Sequence, residues 1–358
     1  MMTSPTMDKI NLKDLTPSEL ESFISGMGKE KYRAAQVLKW LYQKGVASPE
    51  EMTNLSREFR GRLGEVARIS RIAMAKVQIS ADSTKKILFR LEDGSHIESV
   101  IIPGRSHATL CVSTQVGCRM CCRFCLTGRC GFQRDLRPSE ITDQITVIRK
   151  EMPEEVIGNI VMMGMGEPLD NYDNVLKAIR IITSDPGLAI SKRRITVSTC
   201  GIPDKIRQLG IDARVNLAVS LNAADNETRS MLMPINRQFP IEQVILACRD
   251  YEMPLRRRIT FEYILIEGVN ASVGDAGKLA RILRGLRCKV NLIAFNEHPG
   301  SGSGTGPGSG FKRPPAAAIE AFRRELVRHG YTAVLRAGKG ADILAACGQL
   351  RGSLIEQA

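Results

Sequence analysis

The sequence predicts an α/β protein: a partial parallel barrel of the (β/α)6 type, preceded by a small N-terminal helical domain. Three observations predict it. From residue 108 onward, apolar runs of strand length alternate with segments of helical period, six or seven times in succession. Before residue 70 the spacing is helical only, and between 71 and 107 it is strand-like only. Six or seven units are too few to close an eight-stranded barrel, so the sheet is expected to stay open. The expected divisions are 1–70, a basic helical accessory domain; 71–107, a β-rich connecting segment; and 108–358, the partial barrel with its C-terminal segment.

In the first segment, Thr16-Pro17-Ser18-Glu19 has the form of a capping box with proline in the first turn, opening a helix that runs to Gly26. Tyr32 to Tyr42 places Val37, Leu38 and Leu41 at helical spacing, with Gly45 as the stop. Ser48-Pro49-Glu50-Glu51 and Ser56-Arg57-Glu58 open two more helices. Lys29, Lys31, Arg33, Lys39, Arg57, Arg60 and other cations make this segment a candidate for gripping a nucleic-acid backbone. Trp40, the single tryptophan, reads as a core residue. Met74 to Ser80, Lys86 to Leu91, His96 to Pro103 and Ala108 to Ser113 read as strands, with Asp93-Gly94 as a hairpin turn. Helices are then expected at Ser139 to Met152, Asn174 to Thr183, Pro203 to Leu209, Ile241 to Tyr251, Val273 to Leu286 and Pro315 to His329. Strands are expected at Ile157 to Met163, Arg194 to Thr199, Val215 to Ser220, Arg258 to Leu265, Cys288 to Phe295 and Tyr331 to Arg336. A last helical segment starts at Asp342, and the Gly/Ser-rich run Gly300 to Gly310 reads as a mobile lid or insert.

A chain of 358 residues with 43% hydrophobic content can bury a sizeable core. No apolar run approaches the roughly 18 residues of a membrane span. The opening MMTSPTMDKINLKDL lacks the regions of a secretory signal, so a cytoplasmic location is expected. There, ten cysteines read as ligands, redox groups or core thiols rather than a disulfide framework. Lysine and arginine number 51 against 38 acids, a net charge of +13, which favours a polyanionic partner, nucleic acid first.

Five of the ten cysteines fall between Cys111 and Cys125. Thiolates hold iron–sulfur clusters, and a cubane needs four ligands. The spacing Cys118-x3-Cys122-x2-Cys125 supplies three and leaves one iron open to a small molecule. The frame is ambiguous, because Cys118, Cys121 and Cys125 give the reverse spacing. A zinc site from the two abutting CxxC pairs and a ferredoxin-type cluster completed by Cys121 or Cys130 are the alternatives. In a parallel barrel, ligands collect at the C-terminal ends of the strands. Gly164-Met165-Gly166-Glu167-Pro168, Ser198, Ser220-Leu221-Asn222 and Asn296 all fall there, with groups suited to a nucleoside ligand. Cys347, in AACGQL, reads by itself as a buried thiol, as do Cys200, Cys248 and Cys288.

The stretches CVSTQVGCRMCCRFCLTG, GMGEPLDN, SKRRITVSTCGI, SLNA, LMPIN, VNLIAFN and AACGQL, with YRAAQVLKWLYQKGV and EMTNLSREFR before them, resemble the RlmN/Cfr family of radical S-adenosylmethionine RNA methyltransferases nearly end to end. The resemblance implies a radical SAM partial barrel with a [4Fe-4S] cluster on Cys118, Cys122 and Cys125, and Cys121 as a bystander. It implies that Gly166, Glu167, Ser198, Ser220, Leu221, Asn222 and Asn296 bind S-adenosylmethionine. It makes Cys347 the carrier of a methyl group, Cys111 its partner in a transient disulfide, and Glu98 the acid/base residue. Asn222 departs from the family's usual histidine. The implied reaction methylates adenine C2, which has no lone pair and cannot attack a methyl donor. A cysteine thiolate accepts the methyl first, and a radical made at the open iron activates it. The implied substrates are an adenine of the peptidyl-transferase centre in 23S rRNA and the adenine beside the tRNA anticodon. The implied donor of electrons is a flavodoxin or ferredoxin, and a monomer is expected. Glu167-Pro168 favours C2 methylation over the C8 methylation of the Cfr branch. The reading from a different class is a non-catalytic iron–sulfur protein that binds RNA.

Overall fold

A computed structural model describes residues 9–253, 256–297 and 310–352. The lid expected at Gly300 to Gly310 lies, apart from Gly310, outside the described residues. The first unit holds α1 (Pro17–Gly26), α2 (Tyr32–Lys39) and α3 (Arg57–Val66). The capping box at α1 forms in both directions: the Glu19 amide donates to Thr16 Oγ1 and the Thr16 amide to Glu19 Oε2, at 3.3 and 2.8 Å. A π turn, Trp40–Lys44, extends α2, and Gly45 ends it in the left-handed region at φ 63. The helix expected from Ser48 is only the 3-10 turn Pro49–Glu51. Glu51 folds back onto the amides of Ala47 and Ser48, and Met52 turns into the core, which closes the segment after one turn. Two short parallel strands, β1 (Ile10–Asn11) and β2 (Ala67–Arg68), join the ends of this unit.

The remaining elements are β3 (Ala73–Ile79), β4 (Lys85–Arg90), β5 (His96–Ile102), β6 (Ala108–Cys111), β7 (Gln115–Gly117), α4 (Leu126–Arg129), β8 (Phe132–Asp135), α5 (Pro138–Glu151), β9 (Ile157–Met162), α6 (Tyr172–Thr183), β10 (Ile195–Thr199), α7 (Pro203–Asp212), β11 (Asn216–Ser220), α8 (Asn226–Leu232), α9 (Ile241–Asp250), β12 (Ile259–Leu265), α10 (Val273–Ile282), β13 (Cys288–Ala294), α11 (Ala316–Arg328) and β14 (Ala333–Arg336). Among the described residues, ten strands form one sheet in the order β14-β13-β12-β11-β10-β9-β6-β5-β4-β3. From β6 to β14 all neighbours are parallel, and helical crossovers link them. β3 and β14 are the two edges, so the barrel is open.

The segment expected to be a connector continues the same sheet. β5 pairs antiparallel with β6, setting Val100 opposite Cys111. β12 reads ITFEYIL and buries both faces, as a parallel strand between helical layers must. The helical unit is tied to the barrel by an ion pair inside the core. Lys13 Nζ donates to Asp143 Oδ1 of α5 at 2.7 Å, with 3% and 0% of the two side chains exposed. Asp14 Oδ1 accepts from the Ser139 amide in the first turn of the same helix at 3.0 Å. The helix expected from Asp342 is only a 3-10 turn, Ala341–Ile343, because Leu344 goes left-handed at φ 53 and sends the tail back across the sheet.

Candidate active site

β6 ends at Cys111 on the C-terminal edge of the parallel strands, and the β7–β8 hairpin frames the cysteine loop that follows. Gly117 permits that hairpin: its φ is 76, and a Cβ there would lie 1.8 Å from the Gly131 carbonyl oxygen. Cys118, Cys122 and Cys125 all line one cavity of about 190 Å³. Cys121, at φ 52, is exposed and outside it, and Cys130 faces a different hollow. The cavity thus takes the thiols of the first frame and leaves Cys121 outside. Met120, Phe124, Leu232 and Met233 form an apolar shell beside the loop. Among the described residues no His, Cys, Asp or Glu side chains are grouped to hold a single metal ion. Burial pushes the Cys118 thiol up to about 12 and Cys122 well above its usual range, and the neighbouring cysteines add to both. Three thiols from one loop, all lining one cavity beside this apolar shell, fit the three-cysteine donor set of an iron–sulfur cluster.

A chain of polar contacts runs across the strand ends beside these thiols. Gly166, at φ 99, packs where a Cβ would come within 2.5 Å of Gln115. Gln115 Oε1 accepts from the Glu167 amide at 2.9 Å. The Glu167 carboxylate is buried, which raises it above the usual carboxylate range. It accepts from the amides of Leu169 and Cys200 at 3.1 and 2.8 Å. The Cys200 carbonyl, in turn, accepts from Arg229 Nη2. Arg229 also donates to the Leu221 carbonyl at 3.2 Å and to Asn236 Oδ1 at 2.9 Å. Asn222, left-handed at φ 59, accepts the Ile264 amide on Oδ1 at 2.9 Å, while its carbonyl accepts from Asn270 at 2.7 Å. One network thus spans the ends of β9, β10, β11 and β12. Glu167, Ser198, Ser220 and Asn222 line the cavity, but Leu221 is fully buried in the core and offers only its backbone. Asn222 reaches the cavity with its side-chain amide already committed to Ile264 and the Met233 sulfur.

The C-terminal tail brings Cys347 to the same cavity, where the residue stands open at the rim. Leu126 donates its amide to the Gly348 carbonyl at 2.7 Å, and Thr127 Oγ1 donates to the Leu350 carbonyl at 2.6 Å. Asn296 Nδ2 makes a long contact, 3.5 Å, to the Cys347 carbonyl and does not line the cavity. Further up the tail, Asp342 accepts from Ser80 Oγ and the Ala81 amide in the β3–β4 turn. Cys111 is buried and lines the same cavity. Burial pushes its thiol up to about 12, and the charge of Cys347 adds to the shift. The Cys347 thiol is pushed up to about 11, first by the desolvating cavity walls and then by the Glu262 carboxylate, with Arg336 opposing. Glu98 does not line the cavity. It is buried on β5, where Oε2 accepts from the amides of Arg351 and Gly352 at 2.8 and 3.2 Å and Oε1 lies 3.4 Å from Lys86 Nζ.

Four contributors escaped the sequence reading. Arg229 and Asn270 carry the polar chain, yet nothing in NETRSML or GVNAS marks either as buried. Glu262 sits inside a strand whose apolar run hid a cavity-facing carboxylate. Cys200, expected as a core thiol, lines the cavity. Of these, only Glu262 left a signal, as an acid within an otherwise apolar buried strand.

The chain matches two family descriptions: the ribosomal RNA large subunit methyltransferase N-terminal domain over residues 10–69, and the radical SAM superfamily over residues 112–279. It is 56% identical to a dual-specificity RNA methyltransferase RlmN of Syntrophus aciditrophicus, covering 98% of this chain and 99% of that one. Its counterpart in Geobacter sulfurreducens is 48% identical, over 96% and 93% of the two chains. Among solved structures, a radical SAM methyltransferase from Sphaerobacter thermophilus superposes with a TM-score of 0.87 at 40% identity, over 96% of this chain and all of that one. The chain therefore belongs to the RlmN family of radical S-adenosylmethionine-dependent RNA methyltransferases.

Proposed function

We propose that the protein methylates C2 of one adenine in 23S rRNA and one in tRNA, through a methyl group carried on Cys347. What carries this reading is the convergence of Cys111, Cys347 and the trio Cys118, Cys122 and Cys125 on one cavity. Cys118, Cys122 and Cys125 would hold a [4Fe-4S] cluster, and Glu167, Ser198, Ser220 and the backbone around Leu221 and Asn222 would hold S-adenosylmethionine. Bound there, these groups supply the methyl and the one-electron chemistry that an unreactive ring carbon requires.

The chain's own residues then divide the work. The Cys347 sulfur, facing the cavity, accepts the methyl as a thiolate. Through that carbon Cys347 is later joined to C2, which ties enzyme to RNA. Glu98 is assigned the proton that leaves C2; it stands outside the cavity, on the amides of Arg351 and Gly352, and would exchange that proton by way of the tail that carries Cys347 rather than by direct contact with the ring. Cys111, as a thiolate, then attacks the Cys347 sulfur: the sulfur–carbon bond breaks as the disulfide forms, the freed carbon takes up a proton to become the C2 methyl, and an external dithiol reductant reopens the disulfide for the next turnover. The apolar shell of Met120, Phe124 and Met233 keeps water from the radical chemistry. The target base must leave its stack to enter such a pocket.

The test is nucleoside mass spectrometry of RNA treated anaerobically with the reconstituted protein. It should yield 2-methyladenosine; 8-methyladenosine instead would move the assignment to the Cfr reaction. Cys347→Ala should abolish turnover, and Cys111→Ala should accumulate a covalent protein–RNA adduct. Normal turnover by Cys111→Ala would refute the release step.

A further inference from the structure

Positive charge also collects outside the N-terminal helical segment. Residues 9–70 hold eleven Lys and Arg against eight Asp and Glu, a net of only +3. The described parts of the loops that enter β6, β10, β11, β12 and β13 (residues 103–107, 184–194, 213–215, 251–253 with 256–258, and 283–287) hold ten Lys and Arg against Asp185 and Glu252. Because these strands are parallel, the loops gather on one face, at the N-terminal strand ends, opposite the cavity. A hollow of about 520 Å³ opens there, lined by Asp185, Lys192, Arg193, Arg214 and Arg257. The loop entering β9 adds Glu154 and Glu155, but both are taken by Lys85.

These cations are poorly compensated. Lys192, Arg193, Arg214 and Arg256 are exposed. Among the described residues, only Arg214 of the ten has a carboxylate partner, Glu252 at 2.9 Å, and that pair is open to solvent. Arg257 and Arg258 hydrogen-bond only to neutral groups, Asn216 and Thr332. Arg214 and Arg256 also occupy left-handed backbone, at φ 53 and 69, where glycine is the least strained choice. Helices α6, α7 and α9 end on this face, and cations near their last carbonyls are favourable. That accounts for Arg214, which follows α7 closely. It does not account for Lys192 and Arg193, which stand well beyond the end of α6.

We propose that this face binds the sugar–phosphate backbone of the RNA substrate, beyond the segment that enters the cavity. The proposal rests on the RNA methyltransferase reading and adds a second contact to it. Uncompensated, exposed cations around a hollow suit phosphates, because binding releases counterions and needs no fixed base. An electron-carrying protein suits the face less well: a five-residue strand spans roughly 17 Å, so it would dock at the wrong ends of the strands for the cysteine loop.

The test uses the reconstituted enzyme and its Lys192→Glu/Arg193→Glu variant. Both side chains are exposed and without a carboxylate partner among the described residues, and a thermal melt by circular dichroism confirms that the variant is folded. Fluorescence anisotropy gives the affinity for a long 23S rRNA fragment and for a short hairpin bearing the same adenine, over a series of salt concentrations. For the long RNA, affinity should fall about tenfold or more, and the log–log salt slope should lose about two, one per phosphate contact. For the hairpin, affinity and turnover should stay within about twofold. Unchanged affinity for the long RNA, as an acidic protein or anionic membrane partner would give, overturns the proposal. So does an equal loss on both RNAs. Binding is read apart from methylation, so failure to methylate either RNA would count against the proposed reaction and leave this contrast readable.

Discussion

The two ends of one parallel sheet handle charge in opposite ways. At the C-terminal ends, Glu167 and Arg229 are buried; the Glu167 carboxylate accepts from the amides of Leu169 and Cys200, and Arg229 donates to the carbonyls of Cys200 and Leu221 and to Asn236 Oδ1, with no ion pair to either among the described residues. At the N-terminal ends, Lys192, Arg193 and Arg256 stand in solvent, and among the described residues none of them is ion-paired to a carboxylate. The difference follows from what each end must do. A site for chemistry needs groups held in one geometry, and a buried charge with directed hydrogen bonds achieves that because any displacement strands it. A surface that meets a polyanion needs charge that is still free to be neutralised.

The comparison can be broken most readily at Arg229. Arg229→Met strands the carbonyls of Cys200 and Leu221 and the Asn236 amide oxygen. It should cost about 3 kcal/mol or more by urea unfolding, and calorimetry should show loss of S-adenosylmethionine binding. A change below about 1 kcal/mol would mean the buried network is not what holds this end together. Asn222→Ala leaves the Ile264 amide unpaired and puts alanine in left-handed backbone; about 1–3 kcal/mol is expected in the same measurement. Glu262→Gln removes a charge that raises Cys347. Its folded-state thiol should then titrate lower, so iodoacetamide should label Cys347 a few-fold faster at a fixed pH, by peptide mass spectrometry. Slower labelling would show that Glu262 assists deprotonation instead. At the other end of the sheet, Lys192→Ala/Arg193→Ala should leave stability within about 0.5 kcal/mol, since neither side chain holds anything in place. A larger loss would sharpen the contrast away, by showing that the basic face is structural.

Much of the site was legible in advance, for a local reason. Cys118, Cys122 and Cys125 lie on one loop, and the glycines around them are tied to turns that only a few neighbours define. Gly166-Glu167, Ser198 and Ser220 were readable because parallel strands bring their C-terminal ends together whatever else happens. Leu221 and Asn296 do not line the cavity: the side chain of the first turns into the core, and the second reaches the tail's backbone. The helical unit was read as the basic partner surface because its cations cluster in sequence. Its acids cluster there too, whereas the cations of the five strand-entering loops are scattered between residues 103 and 287 and meet only when the sheet forms.

Alternating period and capping boxes are short-range signals, and they determined the open α/β barrel; the cysteine spacing, also short-range, pointed to an iron–sulfur donor set beside zinc and ferredoxin-type alternatives. Which thiol of the abutting pair faces the cavity, how the tail returns across the sheet to bring Cys347 to the cavity of Cys111, and which charges are buried or left bare were decided only in three dimensions. Each of these depends on contacts between segments far apart in the chain, where the energy lies in mutual satisfaction of polar groups and not in the preference of any one residue.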